Sequence, residues 1–276
     1  MRKVIFMIAF ISISISVLAQ DIKVPRPSPD ATVTQIVGVT EIKIDYSSPG
    51  VKGRKIWGDL VPFGEVWRTG ANEVTSITFS DPVIISGNQL PAGTYGIHTI
   101  PGENQWEFIF SKDTKVNGSS TFNKEKEVLR VKVVPEEHHF MERMTFLFTD
   151  VTDNSAMVNL LWDKLKVAFK VETNTQDLFL SKAREQLGWQ ASFQAAQYCL
   201  TNEINLEEAL KWIEASCLFS EMYWNTRVKA QIQYKLGIRD KAAETMEKAI
   251  DLGLKMENTP FDFDTMKKML ETWKKE

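Results

Sequence analysis

Between residues 32 and 171 apolar side chains recur at every second position. Ile42, Ile44 and Tyr46 form one such run, Trp106, Phe108 and Phe110 another, and Leu129, Val131 and Val133 a third. Met144, Phe146 and Phe148 follow, then Val158, Leu160 and Trp162, and lastly Leu165, Val167, Phe169 and Val171. Successive side chains of a strand point to opposite faces, so each run offers one face to a core and one to water. Turn-forming groups separate the runs: Ser86-Gly87-Asn88, Pro91-Ala92-Gly93, Pro101-Gly102 and Asn117-Gly118. About ten short strands without an intervening helical period predict an antiparallel β-sandwich or barrel-like domain, the sandwich being preferred.

After Val171 the period lengthens. Phe179, Ala183 and Leu187 recur every fourth residue, as do Val228, Ile232 and Leu236, while Phe263, Met266, Leu270 and Trp273 follow a helix face. Asn205 with Glu208 reads as a capping box, Asp240 as an N-cap, and Gly237 and Gly253 as C-terminal caps. The expected fold class is α+β multidomain, with a β-domain over 32–172 and an all-α helical-hairpin domain over 176–276. In Ala230, Ala242, Met246 and Ala249, echoed by Ala209 and Ile213 33 residues before Ala242 and Met246, this tail resembles tetratricopeptide repeats. The resemblance implies a groove that holds a protein or peptide; helices that simply pack on the sheets are the other reading.

The termini and composition change the picture in three ways. Arg2 and Lys3, the apolar run Val4 to Leu18 and the small-residue positions Val17 and Ala19 read as a signal peptide over 1–19, cleaved before Gln20. The mature chain is therefore expected to be exported, periplasmic or secreted, with no membrane span. Pro25, Pro27 and Pro29 keep 20–31 an extended lead-in. Basic and acidic residues number 33 and 36; without Arg2 and Lys3 they are 31 and 36, a net charge of −5 that argues against a nucleic-acid partner. Cys199 and Cys217 form either a disulfide or two small buried thiols, and two thiols alone make no zinc site.

Neither period explains the stretch from Asp45 to Glu73, DYSSPGVKGRKIWGDLVPFGEVWRTGANE. Loops of this length without secondary structure tend to be functional or disordered, and Trp57, Phe63 and Trp67 argue against disorder because they need burial. On Tyr46 to Pro49, Gly53-Arg54-Lys55-Ile56, Leu60-Val61-Pro62 and Trp67 to Glu73, together with Pro91 to Tyr95 and Trp162, the chain resembles the exported bacterial family called domain of unknown function 2911, over about residues 26–171. That resemblance implies no activity. Physically, Arg54 and Arg68 offer planar forks to a carboxylate or phosphate, and Trp57 or Trp67 a stacking face for a sugar or cation. Asn72 and Glu73 would orient the ligand. The structural alternative pairs Arg68 with Glu73 or Asp45 and places both tryptophans in the core.

His98 lies on the strand face of Gly96 and Ile100, where it reads as a structural histidine or as a base. His138 and His139 are adjacent and expected to face opposite ways, so neither a metal nor any other cofactor is expected. Three functions remain open: a non-catalytic periplasmic binding module for a small polar ligand or glycan fragment, with Arg54, Trp57, Trp67, Arg68, Asn72, Glu73 and His98 as its candidate residues; a hydrolase or isomerase using Glu73 or Asp45 with His98; and an envelope protein acting only through its helical tail.

Overall fold

The structure is a computed structural model, and it describes residues 24–114, 122–185 and 188–275. The signal-peptide segment, the Asn117-Gly118 turn and Leu187 lie outside the described residues. Ten strands come first: β1 (Asp30–Val37), β2 (Thr40–Ser47), β3 (Thr75–Phe79), β4 (Val83–Ile85), β5 (Asn88–Leu90), β6 (Gly93–Ile100), β7 (Trp106–Ser111), β8 (Glu127–Val133), β9 (Glu136–Thr149) and β10 (Ser155–Glu172). Six helices follow: α1 (Thr175–Glu185), α2 (Trp189–Asn202), α3 (Leu206–Phe219), α4 (Tyr223–Lys235), α5 (Arg239–Leu254) and α6 (Phe263–Trp273).

The strands form two sheets, β1-β2-β3-β6-β7-β8 and β5-β4-β10-β9, with every pairing antiparallel. The chain leaves the first sheet after β3, adds the short β4-β5 hairpin to the second, and returns as β6. Alternation explains the core. Ile42, Ile44, Ile77, Tyr95, Ile97, Phe108 and Phe110 from the first sheet meet Val158, Leu160, Val167, Phe169 and Val171 from the second in one buried cluster. Phe108 and Phe110 both approach Phe169 edge-on, with ring centroids 4.9 and 5.4 Å away. Each such side chain contributes about 1.5–3 kcal/mol through removal from water. This is a sandwich of two facing sheets.

The two apolar runs ending the β region are one strand. Val158, Leu160 and Trp162 are inward at even positions, Leu165, Val167, Phe169 and Val171 at odd ones, and the change falls where the β9–β10 register shifts on both sides of Asp163. Asp163 has φ +54°. A bulge at that residue rotates the rest of the strand by one position, so both runs bury their apolar face.

The helices form hairpins with turns at 203–205 and 236–238. Ala209 and Ile213 on α3, and Ala242 and Met246 on α5, are all fully buried at these crossings. The punctuation differs in part from expectation. Asn205 precedes α3 but has the left-handed φ of +45° in place of an extended cap conformation and makes no side-chain cap bond, and Glu208 is paired with Arg184. Asp240 lies inside the first turn of α5, preceded by Ile238 at the cap. Gly237 does end α4, at φ +78°. Gly253 is instead inside α5, where a Cβ would fall 2.6 Å from the Phe263 ring, so it permits close packing of α6. Cys199 and Cys217 are free thiols.

Two contacts join the helical region to the sheets most directly among the described residues. Lys182 on α1 forms a 2.7 Å ion pair with Asp81, whose side chain is only 10% exposed in the crossing between β3 and β4. The β1–β2 turn abuts the start of α1, where Thr175 donates a hydrogen bond to the Asp153 carbonyl. Gly38 in that turn has φ +59°, and a Cβ there would overlap both the Thr175 hydroxyl and the Asp153 carbonyl. Gly38→Ala should therefore destabilise the protein by about 2–4 kcal/mol, combining left-handed backbone strain with overpacking, read as a lower urea midpoint at unchanged slope.

Candidate functional site

The segment between β2 and β3 is ordered because both halves are tied to strands. In the first half, the Val51 N–H donates to the Glu142 carbonyl (2.8 Å), the Met144 N–H donates to the Pro49 carbonyl (2.9 Å), and the Glu142 carboxylate accepts from the Lys52 N–H (3.0 Å). In the second half, Trp67 and Thr99 exchange two backbone hydrogen bonds of 2.8 Å, and the Gly64 N–H donates to the Pro101 carbonyl at 2.8 Å. Between these ties Ile56, Val61 and Trp67 enter the core. Trp57 packs edge-on against Trp67, Trp106 and Trp162 at 6.0, 5.0 and 5.6 Å, and Trp67 stacks on Trp162 at 5.9 Å. Four tryptophans thus plug one end of the sandwich.

A cavity of about 340 Å³ opens beside the plug, with Arg54, Pro62, Glu65, Trp67, Arg68 and Trp162 among its lining residues. The backbone that presents Arg68 is strained and pinned. Thr69, β-branched and fully buried, has φ +57°. Such a conformation costs about 1–3 kcal/mol and persists only where its surroundings enforce it. Here Thr75 donates its hydroxyl proton to the Thr69 carbonyl (2.6 Å), the Thr69 hydroxyl donates to that of Thr99 (3.2 Å), and the Trp67 indole donates to the Gly70 carbonyl (3.2 Å).

The two cavity arginines differ. Arg54 donates from Nε to the Val51 carbonyl (3.0 Å) and from Nη2 to the Gly50 carbonyl (2.6 Å), so much of its fork serves its own loop. Arg68 is half-buried, and its Nε is fully buried with no acceptor among the described residues. All the other described arginines have a carboxylate, carbonyl or ring partner. The indole N–H groups of Trp57, Trp106 and Trp162 are also buried without an acceptor among the described residues.

Of the residues expected to bind, Arg54, Trp67 and Arg68 converge on the cavity, and Trp57 stands behind it in the tryptophan cluster. Asn72 and Glu73 turn away and fasten the lead-in. Asn72 donates to the Ser28 carbonyl (3.0 Å) and the Ser47 hydroxyl (3.1 Å), and Glu73 holds Arg26 at 3.0 Å. The alternative salt bridge is not formed either, since Glu73 takes Arg26 and Asp45 takes Lys43 at 2.8 Å. Trp162 and Glu65 line the cavity without having been singled out for it. Trp162 closes an inward-facing run at the loop's end, which was a usable signal; nothing in the sequence marked Glu65.

His98 does not line the cavity. It is fully buried on the non-core face of β6, with the Phe122 ring 4.8 Å away and no hydrogen-bond partner for either ring nitrogen among the described residues. Neither Glu73 nor Asp45 bonds it, so the acid–base set with His98 is not assembled. Burial pushes its pKa down from the ordinary 6.5 to about 4, against a weaker opposite pull from the Asp113 carboxylate. The rings of His138 and His139 are not opposed but lie 3.8 Å apart, and no cluster of three or more metal-ligating side chains occurs among the described residues.

A second groove, of about 520 Å³, lies on the helical region between α2, α4 and α6, where Gln197, Arg227, Tyr234, Arg239 and Trp273 are among its lining residues. The Tyr234 and Trp273 rings stack at 4.2 Å, and the Arg239 guanidinium sits 3.8 Å from the Tyr234 centroid. No described helix is long and apolar enough to cross a membrane.

The family described as Protein of unknown function (DUF2911) matches residues 28–171, just over half of the 276-residue chain. The chain belongs to this family. The DUF2911 match ends within β10, so it spans both sheets, the loop and the cavity but not the helices. Neither a curated protein nor a solved structure matches the chain.

In the folded protein His98 stays neutral to about pH 4, whereas the unfolded chain takes up its proton near 6.5. Stability should be independent of this residue above pH 6.5 and fall by roughly 2–4 kcal/mol as the pH drops from there toward 4. Denaturant unfolding across that window should show the decline in the wild type and a shallower one in His98→Phe.

Proposed function

We propose that this DUF2911 chain is an exported, non-catalytic binding module whose β region takes a small anionic ligand in the loop cavity and whose helical groove docks a protein. The observation that carries this reading is Arg68. A half-buried guanidinium with an unpaired Nε is costly in a folded protein, and the favourable remedy is an acceptor-bearing partner. No carboxylate among the described residues pairs with it, and yet it is held on a strained, heavily bonded backbone at the wall of a concavity. An anion entering the cavity would complete it through a forked, charge-assisted contact.

Binding is favoured over turnover because the wall combines a cation with apolar surfaces, while the buried His98 lies elsewhere. Export rests on the basic start, apolar run and small-residue cleavage positions of residues 1–19. The protein recovered outside the cytoplasm should begin at Gln20 when its N-terminus is sequenced.

Thermal unfolding with and without acetate, phosphate or glucuronate tests the cavity. At a concentration of about 100 times Kd an anion that binds should stabilise the wild type by roughly 2.7 kcal/mol, and Arg68→Ala should lose that gain while keeping the wild-type circular dichroism. An Arg68→Ala chain that does not fold would make Arg68 a structural residue and remove the reading's main support.

A further inference from the structure

The lining of the cavity narrows the ligand class, on the reading that the cavity binds an anion. We infer that it selects a hydroxylated monocarboxylate with one apolar ring face, a sugar acid of the hexuronate kind. Three features point there. The first is charge: Arg54 and Arg68 face one carboxylate, Glu65, for a net lining charge of +1. A monoanion balances that charge. A phosphate monoester, at about −1.5 to −2 near neutral pH, would overbalance it and meet the repulsion of Glu65.

The second feature is the asymmetry of donors and acceptors. Among the described residues that line the cavity, the buried side-chain polar atoms left unpaired are both N–H groups, Arg68 Nε and Trp162 Nε1. Such a set suits an acceptor-rich guest, and the forked guanidinium of Arg68 suits the two oxygens of a carboxylate. Glu65, exposed and without a hydrogen bond or ion pair among the described residues, can accept from hydroxyls at the rim. The third feature is the apolar wall formed by Leu60, Pro62 and the accessible edge of Trp67, against which the C–H face of a pyranose can lie. A volume of about 340 Å³ is at the small end of ligand sites and limits the guest to one or two sugar units.

The experiment titrates the full mature chain with galacturonate, digalacturonate, the neutral sugar galactose, and inorganic phosphate, read by calorimetry and by tryptophan fluorescence from the cavity wall. Galacturonate or its dimer should bind at least about tenfold more tightly than galactose, because a charge-assisted fork is lost with the carboxylate, and more tightly than phosphate. Tighter binding of the dimer assigns the site to a glycan end, and equal binding to the free acid. Arg68→Ala should remove the preference for the acid over the neutral sugar. Glu65→Gln, at an exposed position that leaves the fold intact, should raise phosphate affinity and weaken uronate affinity by several-fold. If phosphate binds more tightly than the uronates and Arg68→Ala abolishes that binding, the sugar-acid assignment is wrong and the anion site stands. If no anion binds the wild type, both fall. Uronate binding that is unchanged in both Arg68→Ala and Glu65→Gln overturns the assignment to this cavity.

Discussion

The packing of four tryptophans at one end of a β-sandwich is the constraint on which the site depends. Two facing sheets bury their inner surfaces along their length but leave the ends open, and an open end wets the core. Here the connection from β2 to β3 closes the end by inserting Trp57 and Trp67 between Trp106 on β7 and Trp162 on β10. Rings that meet edge-to-face at 5–6 Å leave little freedom for the chain that carries them. The backbone that carries Arg54 and Arg68 is then tied to the strands on both sides of the plug.

Among the described arginines around this plug, all but Arg68 have a carboxylate or carbonyl partner. Arg130 bridges Glu107 and Glu127, Arg26 joins Asp30 and Glu73, and Arg143 spends its fork on the Pro27 and Ser48 carbonyls. The nearest acidic residue in sequence to Arg68 on its C-terminal side, Glu73, is taken by the proline-rich lead-in. One exposed surface pair is worth little in stability; this one holds Glu73 against the lead-in, outside the cavity.

The sandwich was legible because alternation is a local property: each run declares its inner face whatever it pairs with. Even the bulge at Asp163 was written in the chain, as the change of parity between Trp162 and Leu165, although two strands and one bulged strand predict the same alternation on either side. The site was legible only in outline. Glycines, prolines and tryptophans marked the loop, and Arg54, Trp67 and Arg68 within it, but pairing is decided by residues distant in sequence. Arg26 lies 47 positions before Glu73, and nothing local tells Asn72 and Glu73 to face the lead-in while Arg68 faces the cavity. The Asn205 capping box failed for the same reason: Glu208 fits it in isolation, but is paired with Arg184 on α1.

The Lys182–Asp81 pair sets a limit on modularity. Asp81 sits where the chain passes from one sheet to the other, largely shielded from solvent, and its counter-ion comes from the first helix. A β region severed from its helices would leave that carboxylate to be hydrated at the crossover itself, and would strip the Thr175 hydroxyl from the β1–β2 turn. The family match ends at residue 171, while the Lys182–Asp81 ion pair and the Thr175–Asp153 hydrogen bond tie the first helix to the sheets across that boundary.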